Sequence, residues 1–419
     1  MSINKAKFTT ATVFSQAVGA KTSLQLASKA AIRKALLQMA TLLQRQQQSL
    51  LAANSQDLEK QAANNPKNDR LLLTPERIDA IAAAIRKVAE LPDPTGEVLL
   101  RKKLPNKLLL RKITVPLGVV GAIYESRPNV TFDIAALCLR SRNVALLKGS
   151  TDAWHTNQEA IRLIKLALVA ANINPDAVTL LPPDREVVDE MLKATQHIDV
   201  IIPRGSDGLI QYVRKNSLVP VIETGAGVCH VYVHTKADLQ KAVDIVLNAK
   251  TSRPSVCNAM DTVIVDRAIA KKFLRKLGLA FAKAEVKLLA DPEAFDLLAG
   301  YPQLNKARPE DFSREFLSLT AAVKIVDDFE AALQHIQHYS TRHSEAIVTE
   351  NKTIATQFLQ LVDAAAVYVN ASTRFTDGAV FGLGAEIGIS TQKLHARGPF
   401  ALEKLVTEKW LVTGNGQTR

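Results

Sequence analysis

The segment VPLGVVGAIYESRPNVTFDIAALCLRSRNVALLKGS, residues 115–150, holds two short apolar runs with a helical stretch between them. The runs at 118–123 and 144–148 show no polar alternation, so each is expected to be a strand buried on both faces. Residues 130–141 between them read as a helix, which makes the whole a βαβ unit and predicts a parallel sheet. The same alternation continues downstream. Further strands are expected at 178–181, 198–202, 219–222 and 229–233, with helices at 153–171, 185–194, 206–215 and 238–250. A second alternating block has strands near 261–265, 285–289, 319–326, 345–348 and 365–369, and helices at 267–282, 328–338 and 351–362. The stretch 290–314, rich in Pro, Asp and Asn, reads as a long connection. Two α/β blocks joined near 223–228 imply two lobes with a cleft between them.

Upstream of this core, residues 20–62 read as one helical stretch, and Glu76–Ala89 as another, with Thr74 as N-cap and Pro75 in its first turn. Residues 98–115 differ. VLLRKKL and KLLLRKITV flank Pro105-Asn106 and predict a β-hairpin that mixes basic and apolar side chains. A lone hairpin is marginal in water, so it is expected to pack on another domain or subunit.

The 419 residues are 47% hydrophobic and 22% charged, enough for a large core and for roughly two or three domains. That balance excludes a disordered or low-complexity chain. Lys and Arg exceed Asp and Glu by 53 to 41, which favours anionic partners such as nucleic acid, acidic lipid, phosphates or carboxylates. The basic residues form no block, and aromatics are only 5%, which argues against a nucleic-acid arm or base-stacking platform. No apolar run is long enough to span a bilayer, no secretory signal is visible, and three cysteines imply no disulfide framework. A cytoplasmic protein is expected.

No Walker A loop and no GxGxxG motif occurs, and GLGAEIG at 382–388 is one residue too long for the latter. His230 and His234 lie too far apart on a strand to share a metal, and His335, His338 and His343 lack carboxylates in a zinc pattern, so no metal site is expected. Cys257 stands apart from Cys138 and Cys229. It occupies a polar loop just before a strand, with Arg253 four residues upstream to favour the thiolate. Three turns open helices after strands: Lys148-Gly149-Ser150-Thr151, Arg204-Gly205-Ser206-Asp207-Gly208 and Glu223-Thr224-Gly225-Ala226-Gly227. Backbone amides at such turns hold phosphates. Together with a loop cysteine they describe a thiol enzyme with a nucleotide cofactor.

The strings at 115–150, RPSVCNA (253–259), VYVNASTRFTDG (367–378) and FGLGAEIGISTQKLHARGP (381–399) closely resemble the γ-glutamyl phosphate reductase family, a branch of the aldehyde dehydrogenase superfamily. The resemblance runs from about residue 20 to about 412. It implies an aldehyde dehydrogenase-like α/β fold of two lobes with parallel-rich sheets plus a small hairpin oligomerisation element. In residues, it implies a cofactor domain over 1–225 interrupted by the hairpin at about 98–116, a catalytic domain over 226–395, and an oligomerisation segment over 396–419. The implied reaction is reduction of L-glutamyl 5-phosphate by NADPH to L-glutamate 5-semialdehyde with release of phosphate, the second step of proline biosynthesis. A coenzyme A-acylating aldehyde dehydrogenase is the alternative. A homo-oligomer is implied, and the upstream glutamate kinase is a candidate partner.

The resemblance also assigns residues. Cys257 matches the nucleophile, with its own amide and either Ser126 or Asn129 as oxyanion donors; Asn129 could instead cap the following helix. Lys148, Gly149, Ser150 and Thr151 match the adenosine ribose site. Thr151 stands where NAD-preferring relatives carry Glu, which permits NADP, and it could also be a helix N-cap. Arg204, Gly205 and Ser206 match the pyrophosphate loop, and Glu315 a nicotinamide ribose contact. Arg127, Arg253, Asn370, Ser372 and Arg374 are candidates for holding the substrate. Glu223 falls near the base that hydrolytic relatives use, but thioester reduction needs no such base. Asn106 is followed by Lys107 where relatives often have Gly.

Overall fold

A strand over Val119–Tyr124, a helix over Pro128–Arg140 and a strand over Val144–Lys148 form the expected βαβ unit in a computed structural model that describes residues 9–62, 68–125 and 127–419. The chain divides into two units, each with its own sheet. The first comprises Met1–Thr224, Gly382–Gly388 and Phe400–Arg419; the second comprises Gly225–Phe381 and Ile389–Pro399.

The strands of the first unit are β1 (Val98–Lys103), β2 (Leu109–Pro116), β3 (Val119–Tyr124), β4 (Val144–Lys148), β5 (Val178–Leu180) and β6 (Val200–Arg204). The second unit holds β7 (Cys229–Val233), β8 (Met260–Asp266), β9 (Lys287–Ala290), β10 (Leu304–Lys306), β11 (Thr320–Val326), β12 (Ser344–Val348) and β13 (Ala366–Val369). Two short strands, β14 (Glu386–Ser390) and β15 (Gly398–Ala401), pair with each other, and β16 (Val406–Thr413) follows.

In the first unit β5-β4-β3-β6 make a parallel sheet. Strands β3 and β4 are wholly buried and β6 is buried up to its last residue, as continuous apolar runs require, while the edge strand β5 is partly exposed. Helix Lys29–Arg45 buries Ile32, Leu36, Met39 and Leu43, one stripe at helical spacing, and packs on helices Pro75–Glu90 and Trp154–Ala170. Thr74 caps helix Pro75–Glu90 through the Arg77 N–H, with Pro75 at the first helical position, as the sequence predicts.

Three elements depart from expectation. Residues 20–62 are not one helix: helices run over Thr10–Leu26, Lys29–Arg45 and Gln47–Leu58. The first break comes where Ala27 turns extended and the Ser28 hydroxyl accepts the Ala31 N–H, starting a new helix. No strand forms at 219–222. Val221 makes a single bridge to Ile201, and Pro220, which lacks an N–H, cannot extend the ladder. The stretch 290–314 contains helix Pro292–Leu297, strand β10 and a 3-10 turn over Pro309–Ser313. Its Asp-Pro pair is a helix start: Asp291 caps Ala294 at 2.8 Å and Pro292 takes the first position.

In the second unit all seven strands run parallel in the order β10-β9-β11-β8-β7-β12-β13. Alternate residues supply separate cores on the two faces. Val231, Val233, Val263 and Val265 pack with Phe273 and Phe281 on one face; Tyr232, Ile264 and Ile347 pack with Phe329 and Phe358 on the other. Such double covering is what a parallel sheet needs.

The hairpin forms as expected, and β16 completes it into an antiparallel three-stranded sheet, β1-β2-β16. All of β1 is exposed, including Val98, Leu99 and Leu100, as are Trp410 and Val412 of β16. Lys107, in the connecting turn, has φ of 69°.

Candidate active site

The second unit carries the thiol. Helix Leu239–Thr251 ends, the chain turns through residues 252–258, and β8 begins at Met260. Cys257 is part-exposed on that turn, whereas Cys138 and Cys229 are buried. Burial alone pushes the Cys138 thiol up to about 12, and burial chiefly raises Cys229 too. Neither ionises readily, so the nucleophilic candidate is Cys257.

The turn is fastened from several sides. The Cys229 thiol donates to the Cys257 carbonyl at 3.2 Å. Asn258 Nδ2 donates to the Thr376 carbonyl at 2.9 Å, and Thr373 Oγ1 donates to the Asn258 carbonyl at 2.7 Å. Arg374 bonds Asn258 Oδ1 through Nη1 and Ser252 Oγ through Nε at 3.0 Å, so its guanidinium grips both ends of the loop. Burial chiefly, and then the neighbouring Arg253, make the Arg374 cation harder to hold; the Cys257 charge acts the other way.

Gly227 lies under this turn. A Cβ there would stand 1.5 Å from the Cys257 carbonyl oxygen, so only glycine fits. The Gly227 N–H donates to Glu315 Oε1 at 3.0 Å, which brings Glu315 beside the thiol loop. Of the substrate candidates here, Arg253 is exposed near Arg374. Asn370 and Ser372 are taken up by the backbone. Asn370, at φ of 54°, exchanges two 2.9 Å bonds with Thr349, and Ser372 caps the 3-10 turn that presents Arg374. Among the described residues no group of His, Cys, Asp and Glu is arranged to hold a metal.

The first unit carries the two turns expected to bind anions, at the C-terminal ends of β4 and β6. Lys148 ends β4 only 9% exposed, and burial lowers its affinity for the proton, with Asp184 opposing. Such a dehydrated cation is suited to a phosphate. Gly149 follows, where a Cβ would lie 2.3 Å from Asn157 Nδ2. Asn157 is fully buried; its Oδ1 accepts from Thr131, but Nδ2 has no partner. Ser150, not Thr151, is the N-cap of the 3-10 turn Thr151–Ala153, which opens helix Trp154–Ala170. The backbone turns extended one residue earlier than expected, at Ser150, and exposed Thr151 lies inside the turn.

At the β6 end, Arg204, Gly205 and Ser206 turn into helix Asp207–Asn216. Glu125, which sequence reasoning passed over, meets this turn. Its Oε1 accepts from Ser206 Oγ at 2.6 Å, and its carboxylate fills the space beside Gly205. Ser126 lies outside the described residues. Arg127 occupies the N-cap of helix Pro128–Arg140, so Asn129 is not the cap. Pro128 fixes the first helical position, and Asn129 Nδ2 instead donates to Asp133 at 3.0 Å. Burial pushes Asp133 up to about 6, offset by the Asn129 bond and by Arg204. Glu223 pairs with Arg214 at 3.4 Å. Asp133 and Glu125 carry no motif signal; their roles arise only once β3 and β6 are neighbours.

A part-exposed cysteine on a latched turn, glycine-bearing turns at parallel strand ends and a carboxylate beside the cysteine loop suit an oxidoreductase of the aldehyde dehydrogenase type. The description "Aldehyde dehydrogenase family" matches residues 4–296. The chain is 54% identical over 375 residues to a γ-glutamyl phosphate reductase of Chlorobium phaeobacteroides, covering 89% of this chain and 90% of that one. The crystal structure of a γ-glutamyl phosphate reductase from Thermotoga maritima superposes with a TM-score of 0.94 at 41% identity, over 98% of this chain and 99% of that one. An acetylating aldehyde dehydrogenase from Geobacillus thermoglucosidasius gives a TM-score of 0.70 at 18% identity, over 98% and 97%, a likeness of fold alone. The chain therefore belongs to the aldehyde dehydrogenase family, in the group whose curated members are named γ-glutamyl phosphate reductase. As a member of that family it takes a nicotinamide cofactor.

Proposed function

We propose that this chain reduces L-glutamyl 5-phosphate to L-glutamate 5-semialdehyde with NADPH and releases phosphate, the second step from glutamate towards proline. The observation that carries the reading is the part-exposed Cys257 turn held by Arg374, with Glu315 alongside, in a chain 54% identical to a named reductase.

The Cys257 sulfur attacks the acyl carbonyl carbon; the C–S bond forms, the bond to the phosphate oxygen breaks, and phosphate leaves with its electron pair. A thioester on Cys257 results. Negative oxygen develops at the carbonyl in each addition. Its donors are the Cys257 N–H and either Ser126 or the second amide hydrogen of Asn129, each worth about 3 kcal/mol. A nicotinamide held by these residues would supply the hydride that reduces the thioester carbon. The thiohemiacetal then collapses, breaking C–S, freeing the aldehyde and restoring the thiolate. Water is not wanted at the thioester, and Glu223, paired with Arg214, is not used as a base.

The cofactor fits the turns of the first unit. Gly149 and Gly205 leave room that a Cβ would fill, and Asn157 presents an unpaired buried amide beside Gly149. Lys148, Gly149, Ser150 and Thr151 are assigned the adenosine ribose and its phosphate, Arg204, Gly205 and Ser206 the pyrophosphate, and Glu315 the nicotinamide ribose. No carboxylate stands at residue 151 to repel a 2′-phosphate, which supports NADPH over NADH. Arg127 and Arg253 are assigned the anionic groups of the substrate. We assign the β1-β2-β16 sheet, with its exposed Val98, Leu99, Leu100 and Trp410, to homo-oligomer assembly. The glutamate kinase that supplies the acyl phosphate is the proposed partner, and the cytoplasm the proposed compartment.

The test runs the reaction backwards with glutamate 5-semialdehyde, phosphate and NADP, following the absorbance of reduced cofactor. Turnover should require phosphate and vanish in Cys257→Ala, which should still bind NADPH. Activity that needs coenzyme A instead of phosphate, or persists without Cys257, refutes the assignment.

A further inference from the structure

Lys250 sits in the last turn of helix Leu239–Thr251 and is fully buried, and Asp261 is the second residue of β8, 2% exposed. The residues between them are the Cys257 turn. Lys250 Nζ meets Asp261 Oδ1 at 3.3 Å, so the pair closes the base of that turn. The same two side chains hold a second segment. Asp261 Oδ1 accepts the Phe316 N–H at 3.1 Å, Lys250 Nζ donates to the Ser318 carbonyl at 3.2 Å, and the ammonium lies 5.8 Å from the Phe316 ring centre. Phe316 directly follows Glu315, whose carboxylate reaches the Gly227 N–H beneath the Cys257 carbonyl.

A buried ion pair is a poor way to gain stability, because the cost of dehydrating both charges is repaid only with excellent geometry. Here the geometry is incomplete: Asp261 Oδ2 is buried with no hydrogen-bond partner. Burial pushes Asp261 up to about 6 and lowers Lys250. Two apolar side chains would fill this volume more cheaply. What apolar side chains could not do is bond the two backbone groups that flank Phe316 while joining the ends of the Cys257 turn.

We infer that Lys250 and Asp261 are positioning residues for this reaction: their ion pair sets the Cys257 thiol and the Glu315 carboxylate in register with each other. The inference rests on the reading of Cys257 as nucleophile and Glu315 as cofactor contact. Neither residue touches substrate; both act through the segments they tie.

The experiment uses the full chain with Lys250→Met and Asp261→Leu together, which removes both charges and leaves no lone buried ion. Misplacement of a reacting group by about 1 Å costs on the order of a hundredfold, so kcat in the reverse reaction should fall at least about tenfold. KM for NADP should rise several-fold while KM for phosphate stays near the parent value, a split that general loosening does not produce. The rate of Cys257 alkylation by iodoacetamide, read by peptide mass spectrometry, should shift from that of the parent. A folded double variant with kcat, KM for NADP and alkylation rate all unchanged overturns the inference. If the double variant is recovered unfolded, Asp261→Asn is judged by the same three readings. Alkylation needs no substrate, so the two failures separate. An inactive parent rejects the acyl phosphate reading, whereas three unchanged readings against an active parent reject the clamp.

Discussion

Gly227→Ala is the substitution with the most direct geometric consequence for the thiol. The new Cβ would meet backbone, not a flexible side chain: the Cys257 carbonyl oxygen stands 1.5 Å away, its carbon 2.6 Å and its Cα 3.2 Å. Reaching an ordinary contact of 3.4 Å from 1.5 Å moves the Cys257 peptide by nearly 2 Å or displaces Gly227 by as much. Either movement strains the Cys229 bond to the Cys257 carbonyl or the Glu315 bond to the Gly227 N–H. A shift of about 1 Å in a reacting group costs on the order of a hundredfold. We therefore expect kcat to fall at least about a hundredfold, which is about 2.7 kcal/mol of transition-state stabilisation. On the proposed assignment, KM for NADP should rise no more than several-fold, because Glu315 is strained while the first-unit turns assigned to the cofactor are untouched. The assay is steady-state reverse turnover, paired with thermal unfolding to show that the protein remains folded. A folded Gly227→Ala protein with kcat within threefold of the parent would refute the claim that this glycine sets the position of Cys257.

Three other outcomes are expected. Gly149→Ala drives a methyl into Asn157, 2.3 Å from its Nδ2, and should weaken NADPH binding at least about tenfold, measured by fluorescence titration, while leaving Cys257 alkylation unchanged. Asp133 is raised to about 6 in the fold from 3.8, so the folded chain holds its proton where the unfolded chain has lost it; stability falls as pH rises through that window. Because Asp133 is half-buried, solvent screening reduces the effect to roughly 1 kcal/mol, and Asp133→Asn should flatten the denaturation midpoint between those pH values. Lys107→Gly relieves a left-handed turn residue at φ of 69° and should raise the unfolding midpoint slightly, by roughly 0.5 kcal/mol after the added chain entropy is counted. An unchanged or lower midpoint goes against it.

The fold was legible wherever one physical rule dominated. The runs at 118–123 and 144–148 had to be buried strands because no polar residue interrupts them, and Thr74-Pro75 had to begin a helix because both residues suit its first turn. Cys257 was legible as a polar-loop thiol, unlike Cys138 within an apolar helix. The failures came where two rules compete. Asp291-Pro292 signals both a loop and a helix start, and only the Asp291 bond to Ala294 decides. Ser28 is compatible with a helix interior, yet its hydroxyl starts a new helix. The site residues that sequence spacing could not reveal are those defined by tertiary neighbours. The sequence offers Asn370 and Arg374 as candidates for holding the substrate, but their bonds to Thr349 and to the Cys257 turn arise only in the fold. Glu125 meets Ser206 across 81 residues, and Lys250 holds Ser318 across 68.

Strand β16 pairs with β2 along its whole length, although nearly 300 residues separate them. During synthesis the hairpin therefore leaves the ribosome with one flank bare, and it stays so while the entire second unit is made. Open β-edges invite association with other nascent chains. Arg111 and Lys112 sit on that β2 flank, with Arg101, Lys102 and Lys103 beside them on β1 and Lys107 in the turn, and like charges keep neighbouring copies apart until Val406–Thr413 arrives to close it.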